Sequence, residues 1–255
     1  MIAKTHKERE GFRAAGKLLA RILREAGKRI VPSASTVDID SFVEKEIHAV
    51  GAVPVFIGYP SSSRKGGSPY PAATCISIND EVVHGIPAHK KIIKDGDIVS
   101  LDCALSLEGY VADMTITVIA GTPHDDDKRL VEATSEARDA AVAAAKAGNY
   151  VGDIGAAVSA VAAKYHCSVV RDLGGHGVGH VMHEPPFIPN FGTAGRGEKL
   201  EENMVLALEP ILALGEGAIV LQKDGWTYKT RDHSRSAEWE DTIIVGKDGG
   251  EITTR

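Results

Sequence analysis

Residues 172–191 read DLGGHGVGHVMHEPPFIPNF and bring three histidines and four glycines into one short stretch. The histidines are His176, His180 and His183. Glycine in a helix interior costs about 1 kcal/mol relative to alanine, so this spacing argues against a helix. Glycine is favoured where the backbone takes unusual dihedrals or approaches another group closely. The stretch predicts either a functional site or a turn with solvated histidines, and residues elsewhere in the chain must decide between them.

The composition is that of an ordinary globular chain. Of its 255 residues, 43% are hydrophobic and 25% are charged, and the formal net charge is −6. Because Lys and Arg form no block, direct readout of nucleic acid is not expected. The polar N-terminus and the lack of any run of about 18 apolar residues predict neither a signal peptide nor a membrane span. Cys75, Cys103 and Cys167 lie far apart, which predicts reduced thiols in a cytoplasmic protein.

The hydrophobic spacing predicts two helices followed by strands, and then the same order again. The predicted helices cover residues 5–30, 36–50, 125–147 and 151–165. The predicted strands cover residues 74–78, 98–107, 110–121, 168–170, 204–211, 219–230 and 236–245, the last two being long enough to pair. Residues 57–73 are rich in Gly, Pro and Ser and predict a loop, mobile at 61–68. This order favours one α+β domain over residues 1–255, with two related halves, long helices on a mostly antiparallel sheet, and a site between the halves.

Acidic residues interrupt four of the predicted apolar strands. Asp102 and Asp113 lie on the two strands of a predicted hairpin, and a turn at Glu108-Gly109 would direct both carboxylates to one sheet face. A buried acid is costly unless it meets a cation or hydrogen-bond donors. One such acid alone could be a structural cap, whereas two on paired strands favour a metal site.

Glu209 and Glu240 stand in apolar surroundings in the same way, within VLALEPIL and SAEWEDTIIV. Together with Asp102, Asp113 and His176 they make five potential metal ligands, and five unrelated salt bridges would be a less economical account. Four carboxylates and one imidazole suit two divalent ions, a kind of site that activates water for hydrolysis. Oxygen-rich ligation with one nitrogen favours Mn, Fe, Co or Zn.

The ligand order and four motifs resemble the type I methionine aminopeptidases over nearly the whole chain. The motifs are NDEVVHGIP at 79–87, GDIVSLD at 96–102, GHGVG at 175–179 and SAEWEDT at 236–242. The resemblance implies the pita-bread fold, in which two pseudo-symmetric halves of antiparallel sheet are covered by long helices with the active site between them. It also implies removal of the initiator methionine from nascent proteins and peptides, preferably before a small second residue.

The resemblance assigns a role to each of the five ligands. Asp102 would bind one divalent ion through both oxygens, Asp113 and Glu240 would bridge the two ions, and His176 and Glu209 would complete the second site. Glu209 would also take the proton from the attacking water.

Further residues receive roles in substrate binding from the same resemblance. His84 would contact the substrate near the scissile peptide, and His183 would stabilise charge on the scissile carbonyl. His180 has no matching role and is expected at the surface or behind the site. The methionine pocket would be lined by Tyr59, Tyr70, Cys75, Met182 and Trp226. A monovalent cation would be held by Asn79, Glu81 and Ser236.

The chain departs from the family pattern at three places. Residues 61–68, SSSRKGGS, are inserted beside the pocket; residues 239–242 read Trp-Glu-Asp-Thr where the family has Tyr-Glu-His-Thr; and Met182 replaces an aromatic residue. The resemblance further implies a monomer that works close to the ribosome. Two alternatives remain: an aminopeptidase P or prolidase-like enzyme with another first-residue preference, and a non-catalytic binding protein on the same fold. The presence of all five ligands argues against the second.

Overall fold

The structure, a computed structural model, describes residues 1–61 and 67–255. Its α-helices are α1 His6–Gly27, α2 Thr36–Ala49, α3 Asp125–Ala144 and α4 Val151–Lys164. They occupy the four predicted places and end one to three residues earlier than predicted. Within the described residues, no helix combines the length and the apolar character that crossing a bilayer requires. The mobility predicted for residues 61–68 falls largely on residues 62–66, which lie outside the described part of the chain.

The strands of the described residues are short apart from one long hairpin. They are β1 Val53–Pro54, β2 Cys75–Ile78, β3 Glu81–Val83, β4 Ile98–Leu107, β5 Tyr110–Ile119, β6 Ser168–Val169, β7 Gly174–Gly177, β8 Glu184–Pro189, β9 Val205–Leu208, β10 Ile211–Ala213, β11 Ile219–Leu221, β12 Tyr228–Thr230, β13 Ser236–Glu238, β14 Glu240–Val245 and β15 Gly250–Ile252.

Three predicted strands are each divided in two. Glu209-Pro210 separates β9 from β10, because proline has no N–H to donate to a strand ladder. Asp224 accepts backbone hydrogen bonds from Trp226 and Thr227, and this turn separates β11 from β12. Trp239 separates β13 from β14. The pairing expected between the last two predicted strands is wrong, since β12 pairs with β3 and β13 pairs with β10.

One nine-stranded sheet joins the two halves of the chain in the order β1-β4-β5-β14-β9-β7-β8, with β2 added on β4 and β15 on β14. Its strand pairs are antiparallel, as predicted. Helices α1 and α2 form a hydrophobic core with the β4–β5 hairpin, and α3 and α4 form a second core with β9 and β14. Two three-stranded sheets, β13-β10-β6 and β11-β12-β3, complete the fold.

The β4–β5 hairpin turns at Glu108-Gly109, as predicted. Both turn residues have positive φ, 51° and 85°, and the strands pair from Leu107 opposite Tyr110 onwards. Positive φ at both central residues matches the right-handed twist of the flanking strands. The two-residue turn therefore sets the register of ten residue pairs along the hairpin.

That register places the acids in two neighbouring rows on one face of the sheet. Asp102 lies opposite Thr115, which lies opposite Glu240 in the next strand. Asp113 lies two residues from Thr115 and opposite Ala104. Because residues two apart on a strand share a face, all three carboxylates point to the same side. Their neighbours point to the other side, into the core beneath the helices.

We expect Leu101→Ala to lower the free energy of unfolding by about 2–5 kcal/mol, because Leu101 is fully buried in the helix-facing core next to Asp102. Urea denaturation measures the change. Leu221→Ala is the matched control, since Leu221 lies on a strand but is 44% exposed, and a change within about 0.5 kcal/mol is expected there. Equal effects of the two substitutions would contradict the assignment of the two faces of β4.

Candidate active site

A cavity of about 570 Å³ opens on the acid-bearing face of the nine-stranded sheet. All five predicted ligands line it, namely Asp102, Asp113, His176, Glu209 and Glu240. Among the described residues of its lining, none is a lysine or an arginine. This size is typical of small-molecule sites, and the described lining offers its carboxylates histidines but no lysine or arginine.

The five predicted ligands converge from four strands and from the Glu209-Pro210 break between β9 and β10. Ligand atoms of Asp113, His176 and Glu240 all lie within 4.8 Å of one another. The His176 Nε2 atom is 3.8 Å from an Asp113 oxygen and 3.7 Å from a Glu209 oxygen. The other nitrogen, Nδ1, is 3.0 Å from the carbonyl of Gly177, which can only accept a hydrogen bond. Nδ1 therefore carries the proton, and the Nε2 lone pair faces the acids, as metal ligation requires.

Two carboxylate oxygens of the cavity are left without a partner. Asp102 Oδ1 and Asp113 Oδ1 are buried and have no hydrogen-bond partner among the described residues. Buried oxygens of this kind are normally satisfied, so each orphaned atom requires an explanation. The donor set of carboxylate oxygens and one imidazole nitrogen fits hard to borderline divalent ions. The residues present therefore fit the metal ions that the sequence predicts.

The electrostatics of the cavity agree with this reading. Burial, and then the neighbouring carboxylates, raise the pKa values of Asp102, Glu209 and Glu240 well above their usual range. Burial raises the pKa of Asp113 to about 7, although its hydrogen bond to the Met114 backbone acts in the opposite direction. Acids that resist ionisation in the metal-free cavity become favourable ligands once a divalent cation supplies the compensating charge.

The sequence reasoning missed one carboxyl of the cavity, that of Glu238. Glu238 is 3% exposed and lines the cavity beside Glu209 and Glu240. Burial raises the pKa of Glu238 to about 8, and the Asp113 carboxylate acts in the same direction. Its spacing of two residues from Glu240 was the available signal, because residues i and i+2 of a strand point to one side.

Two of the three histidines in the opening stretch line the cavity, and one does not. The rings of His176 and His183 are 4.3 Å apart, and His183 is exposed on the open side of the cavity. The Tyr59 hydroxyl is 2.6 Å from His183 Nδ1. His180 is exposed at the surface, where its Nδ1 lies 2.6 Å from the carbonyl of Gly109. Of the two positions expected for His180, at the surface or behind the site, it occupies the surface.

His84 also lines the cavity, and its ring packs edge-on against Trp226. His84 follows β3 with a φ of 57°, a strained value for a residue other than glycine. Burial, reinforced by His183, lowers the pKa of His84 to about 4. Both imidazoles line the cavity, and His84 is neutral at physiological pH, so it is able to donate or accept a hydrogen bond.

An apolar and aromatic compartment adjoins the acids. Its lining includes all the residues predicted for the methionine pocket, Tyr59, Tyr70, Cys75, Met182 and Trp226. The ring of Tyr70 packs edge-on against Trp226 at 5.1 Å and against Phe56 at 6.1 Å. Phe56 also lines the cavity and was not predicted. Cys75 lies directly opposite Asp102 in the sheet, so the apolar compartment and the acids share a wall.

The residues predicted for a monovalent cation also meet. The Ser236 hydroxyl is 3.2 Å from the carbonyl oxygens of both Asn79 and Glu81. The carboxylate of Glu81 is turned away from this point and forms an ion pair with Lys91. Any ion here would therefore be held by backbone carbonyls and the hydroxyl, not by the Glu81 side chain.

Asp241, one of the departures from the family pattern, lies outside the cavity. It is fully buried, and its carboxylate accepts a hydrogen bond of 2.6 Å from Thr254 and lies 3.3 Å from Arg138 and 3.4 Å from Arg255. Neighbouring residues of a strand point to opposite sides, so Asp241 faces away from Glu240. Its charge is offset by these arginines and adds nothing to the acids of the cavity.

The glycines around His176 are explained by close approach of backbone. A Cβ atom on Gly175 would lie 2.4 Å from the carbonyl oxygen of Ala207 in β9, and one on Gly177 would lie 2.2 Å from that of Pro185. Neither glycine has positive φ. The sequence left two reasons for these glycines, unusual backbone dihedrals and close approach of another group. The structure supports close approach. Strand β7 has no room for side chains at the positions on either side of His176, whose imidazole lines the cavity.

From Asp113 and Glu238 alone, we expect the metal-free protein to lose about 2 kcal/mol of stability, or roughly 4–8 °C in melting temperature, as the pH rises from about 6.5 to about 8. A carboxyl whose pKa is higher in the folded protein than in the unfolded chain favours folding at low pH, and this contribution is lost as the pH rises through the folded pKa. The pKa values of about 7 for Asp113 and about 8 for Glu238 set the window. Thermal unfolding with a chelator measures the trend.

The cavity histidines define the lower limit of that window. Burial lowers the pKa values of His84 and His176 to about 4, so they make folding more favourable mainly as the pH rises towards about 6.5 and add little above it. Excess Mn²⁺ is the control, because ions bind the deprotonated carboxylates and should reverse the trend. A melting temperature of chelator-treated protein that increased across the window would contradict the burial of these acids.

Comparison with known proteins places this architecture in a family. The profile of metallopeptidase family M24 matches residues 10–247. A methionine aminopeptidase of Aquifex aeolicus is 41% identical over 254 residues, which cover 98% of this chain and 97% of that protein. The crystal structure of a methionine aminopeptidase from Thermotoga maritima superposes with a TM-score of 0.93 at 39% identity, and covers 100% of both chains.

A more distant structure shares the fold alone. A prolidase from Pyrococcus horikoshii superposes with a TM-score of 0.76 at 23% identity, covering 100% of this chain and 63% of the prolidase. The predicted pita-bread fold is thereby confirmed, and so is the resemblance drawn from the sequence. The chain belongs to metallopeptidase family M24, among its methionine aminopeptidases.

Proposed function

We propose that this chain removes the N-terminal methionine from nascent proteins and peptides, preferably when the second residue is small. The observation that carries the proposal is the junction of two compartments in one cavity. Five predicted metal ligands form one side, and an apolar slot edged by aromatic rings forms the other. A methionine side chain in the slot would present its amino group and its first peptide bond to the acids. The full-length similarity to methionine aminopeptidases supports the same activity.

The catalytic ions are inferred to be two divalent metals, chosen from Co, Mn, Fe or Zn. Asp102 would hold one of them, His176 and Glu209 would hold the other, and Asp113 and Glu240 would contribute to both. Four carboxylates offset the charge of two divalent ions, which supports two ions over one. Bound at this place, such ions supply Lewis acidity and lower the pKa of water.

The side chains around the acids suit the proton and charge movements of peptide hydrolysis. Glu209 is proposed to accept the proton of the attacking water, a role for which a carboxyl of raised pKa is suited. His183 would donate a hydrogen bond to the oxygen of the scissile carbonyl, where negative charge develops. The hydroxyl of Tyr59, 2.6 Å from the His183 ring, would hold that ring in place. His84, which also lines the cavity, would contact the substrate near the scissile peptide.

The apolar slot is proposed to bind the methionine side chain. Tyr70 and Cys75 are almost fully buried at its base, with Met182 beside them, and Trp226 lies nearer to the surface. A flexible thioether makes favourable contacts with aromatic edges. Tyr59 and Trp226 form the outer part of the slot, and the Trp226 indole N–H donates to the carbonyl of Ser68 at 3.0 Å.

The two alternatives are less well supported. A prolidase-like preference is not favoured, since the prolidase match is 23% identical and the chain covers 63% of that protein. A binding protein that has lost catalysis would have no need of five convergent ligands with orphaned oxygens.

The same proposal includes further predictions about an ion, the domain, the location and the partners of this chain. A monovalent cation would be bound by the carbonyls of Asn79 and Glu81 with Ser236. Residues 1–255 are proposed to act as one catalytic domain, since one sheet contains strands of both halves. Three unpaired cysteines support a cytoplasmic location. The monomeric state and a place near the ribosome rest on the resemblance.

With Mn²⁺ or Co²⁺ bound, we expect Met-Ala-Ser to be cleaved with a kcat/KM about 10–200-fold above that for Leu-Ala-Ser, because a flexible thioether makes better contacts with the aromatic edges of the slot than a branched side chain does. Release of the first residue, followed by chromatography, measures both rates. Chelator-treated protein is the control and should be inactive. Intact Met-Ala-Ser after incubation with metal-loaded protein would refute the proposed function, and cleavage of another X-Ala-Ser peptide instead would favour the related-aminopeptidase alternative.

We expect Glu209→Gln to lower kcat by about 10²–10⁴-fold at saturating metal, because an amide cannot accept the proton from water. Circular dichroism checks the fold, and metal analysis checks the occupancy. The matched control is His180→Gln, an exposed site outside the cavity, which should leave kcat unchanged. A Glu209→Gln protein of undiminished activity would remove Glu209 as the base.

A further inference from the structure

The mouth of the cavity is formed by one short segment of the chain. Four of the described residues that line the cavity are exposed, and all of them lie between residues 172 and 187. They are Asp172, His183, Pro185 and Phe187. The apolar slot, in contrast, closes on the buried side chains of Tyr70 and Cys75. A polypeptide whose methionine fills the slot would therefore leave the cavity past residues 172–187.

Phe187 is the one aromatic hydrocarbon side chain among these exposed residues. Of the five phenylalanines in the chain it is the only exposed one, with 56% of its surface open to solvent. Single exposed apolar residues are common on proteins, so exposure alone would need no explanation. What distinguishes Phe187 is its place at the edge of the cavity, where a bound peptide could cover the ring and gain apolar contact.

Strand pairing places Phe187 next to the proposed metal ligands. Phe187 in β8 lies directly opposite His176 in β7. Residues opposite each other in an antiparallel pair share a face of the sheet, with Cβ atoms about 4.5–5.5 Å apart. The ring therefore stands on the cavity face, one strand further from the acids of β4, β5 and β14 than His176 is. An extended chain advances about 3.3–3.6 Å per residue, which brings the third residue of a bound peptide within reach of this ring.

The backbone of β8 is poorly suited to hold a peptide by itself. Strand β8 lies at the end of the nine-stranded sheet and reads EPPFIP. Three of these six residues are prolines, which have no N–H to donate, so a substrate cannot add to this edge as a regular strand. A peptide that passes β8 would instead be held by side chains, and Phe187 offers the largest apolar surface among the exposed residues of the lining.

We propose that Phe187 contacts the third residue of the substrate, so that the chain prefers methionyl peptides in which a small second residue is followed by an apolar third residue. The inference rests on the proposed function, because a third residue reaches Phe187 only if methionine occupies the slot. The ring takes no part in the chemical step. Its contact stabilises the bound substrate and the transition state alike, so its loss raises KM and leaves kcat nearly unchanged.

The test compares cleavage of Met-Ala-Leu-Ser and Met-Ala-Ser-Ser by the full chain loaded with Mn²⁺. We expect wild type to cleave the leucine peptide with a kcat/KM about 3–10-fold higher, through KM, as partial covering of one leucine side chain would give. Phe187→Thr removes the ring but keeps a residue that favours strands, and it should bring this ratio to about 1. Phe187→Tyr keeps the ring and should keep the ratio.

The matched control is Val181→Thr. Val181 is 58% exposed in the same segment but is not among the described residues that line the cavity, so the wild-type ratio is expected there. Circular dichroism checks that each variant folds, and Phe187→Gln takes the place of a threonine variant that does not.

Three results would overturn the inference and leave the proposed function intact. They are equal kcat/KM values of wild type for the two peptides, an unchanged ratio in Phe187→Thr, and an equal loss of the ratio in Val181→Thr. Wild-type protein that cleaved neither peptide would overturn the proposed function and this inference together.

Discussion

The structure depends on enclosing five carboxyl groups in one cavity whose described lining contains no lysine or arginine. The group comprises Asp102, Asp113, Glu209, Glu238 and Glu240. Ionised carboxylates lose several kcal/mol each when they leave water, and mutual repulsion adds to that loss. The metal-free protein therefore keeps protons on some of them, as their raised pKa values indicate. Divalent ions would replace these protons, so metal binding and folding stability are coupled in this chain.

The scaffold withstands this loss because most of the acids are attached to paired strands of the nine-stranded sheet. Strand β4 carries Asp102 on its cavity face and Leu101 and Cys103 on the face packed against the helices. Because successive side chains of a strand point to opposite faces of the sheet, one strand contributes both to the hydrophobic core and to the lining of the cavity. Sites built on strands hold their side chains more accurately than sites built on loops. The apolar core on one face thus stabilises the arrangement of acids on the other.

Backbone proximity is the second requirement, and it explains the stretch around His176. Strand β7 lies so close to β9 and β8 that side chains on Gly175 and Gly177 would meet carbonyl oxygens. The His176 imidazole consequently lies between two residues that have no side chain. Its Nδ1–H donates a hydrogen bond to the Gly177 carbonyl. His183 lies beyond β7, where the chain bends back towards β8.

The sequence by itself determined the element order, the shared face of Asp102 and Asp113 and the family, because strand alternation, a two-residue turn and ligand spacing are local signals. It did not determine how the later strands divide or pair. The turn at Asp224 and the break at Glu209-Pro210 lie inside hydrophobic segments, so the hydrophobic pattern alone predicts continuous strands there. Only the tertiary structure decided that Glu238 lines the same cavity as Glu209. In sequence the two acids are far apart, and they are brought together by the pairing of β10 with β13, whose register depends on non-local packing.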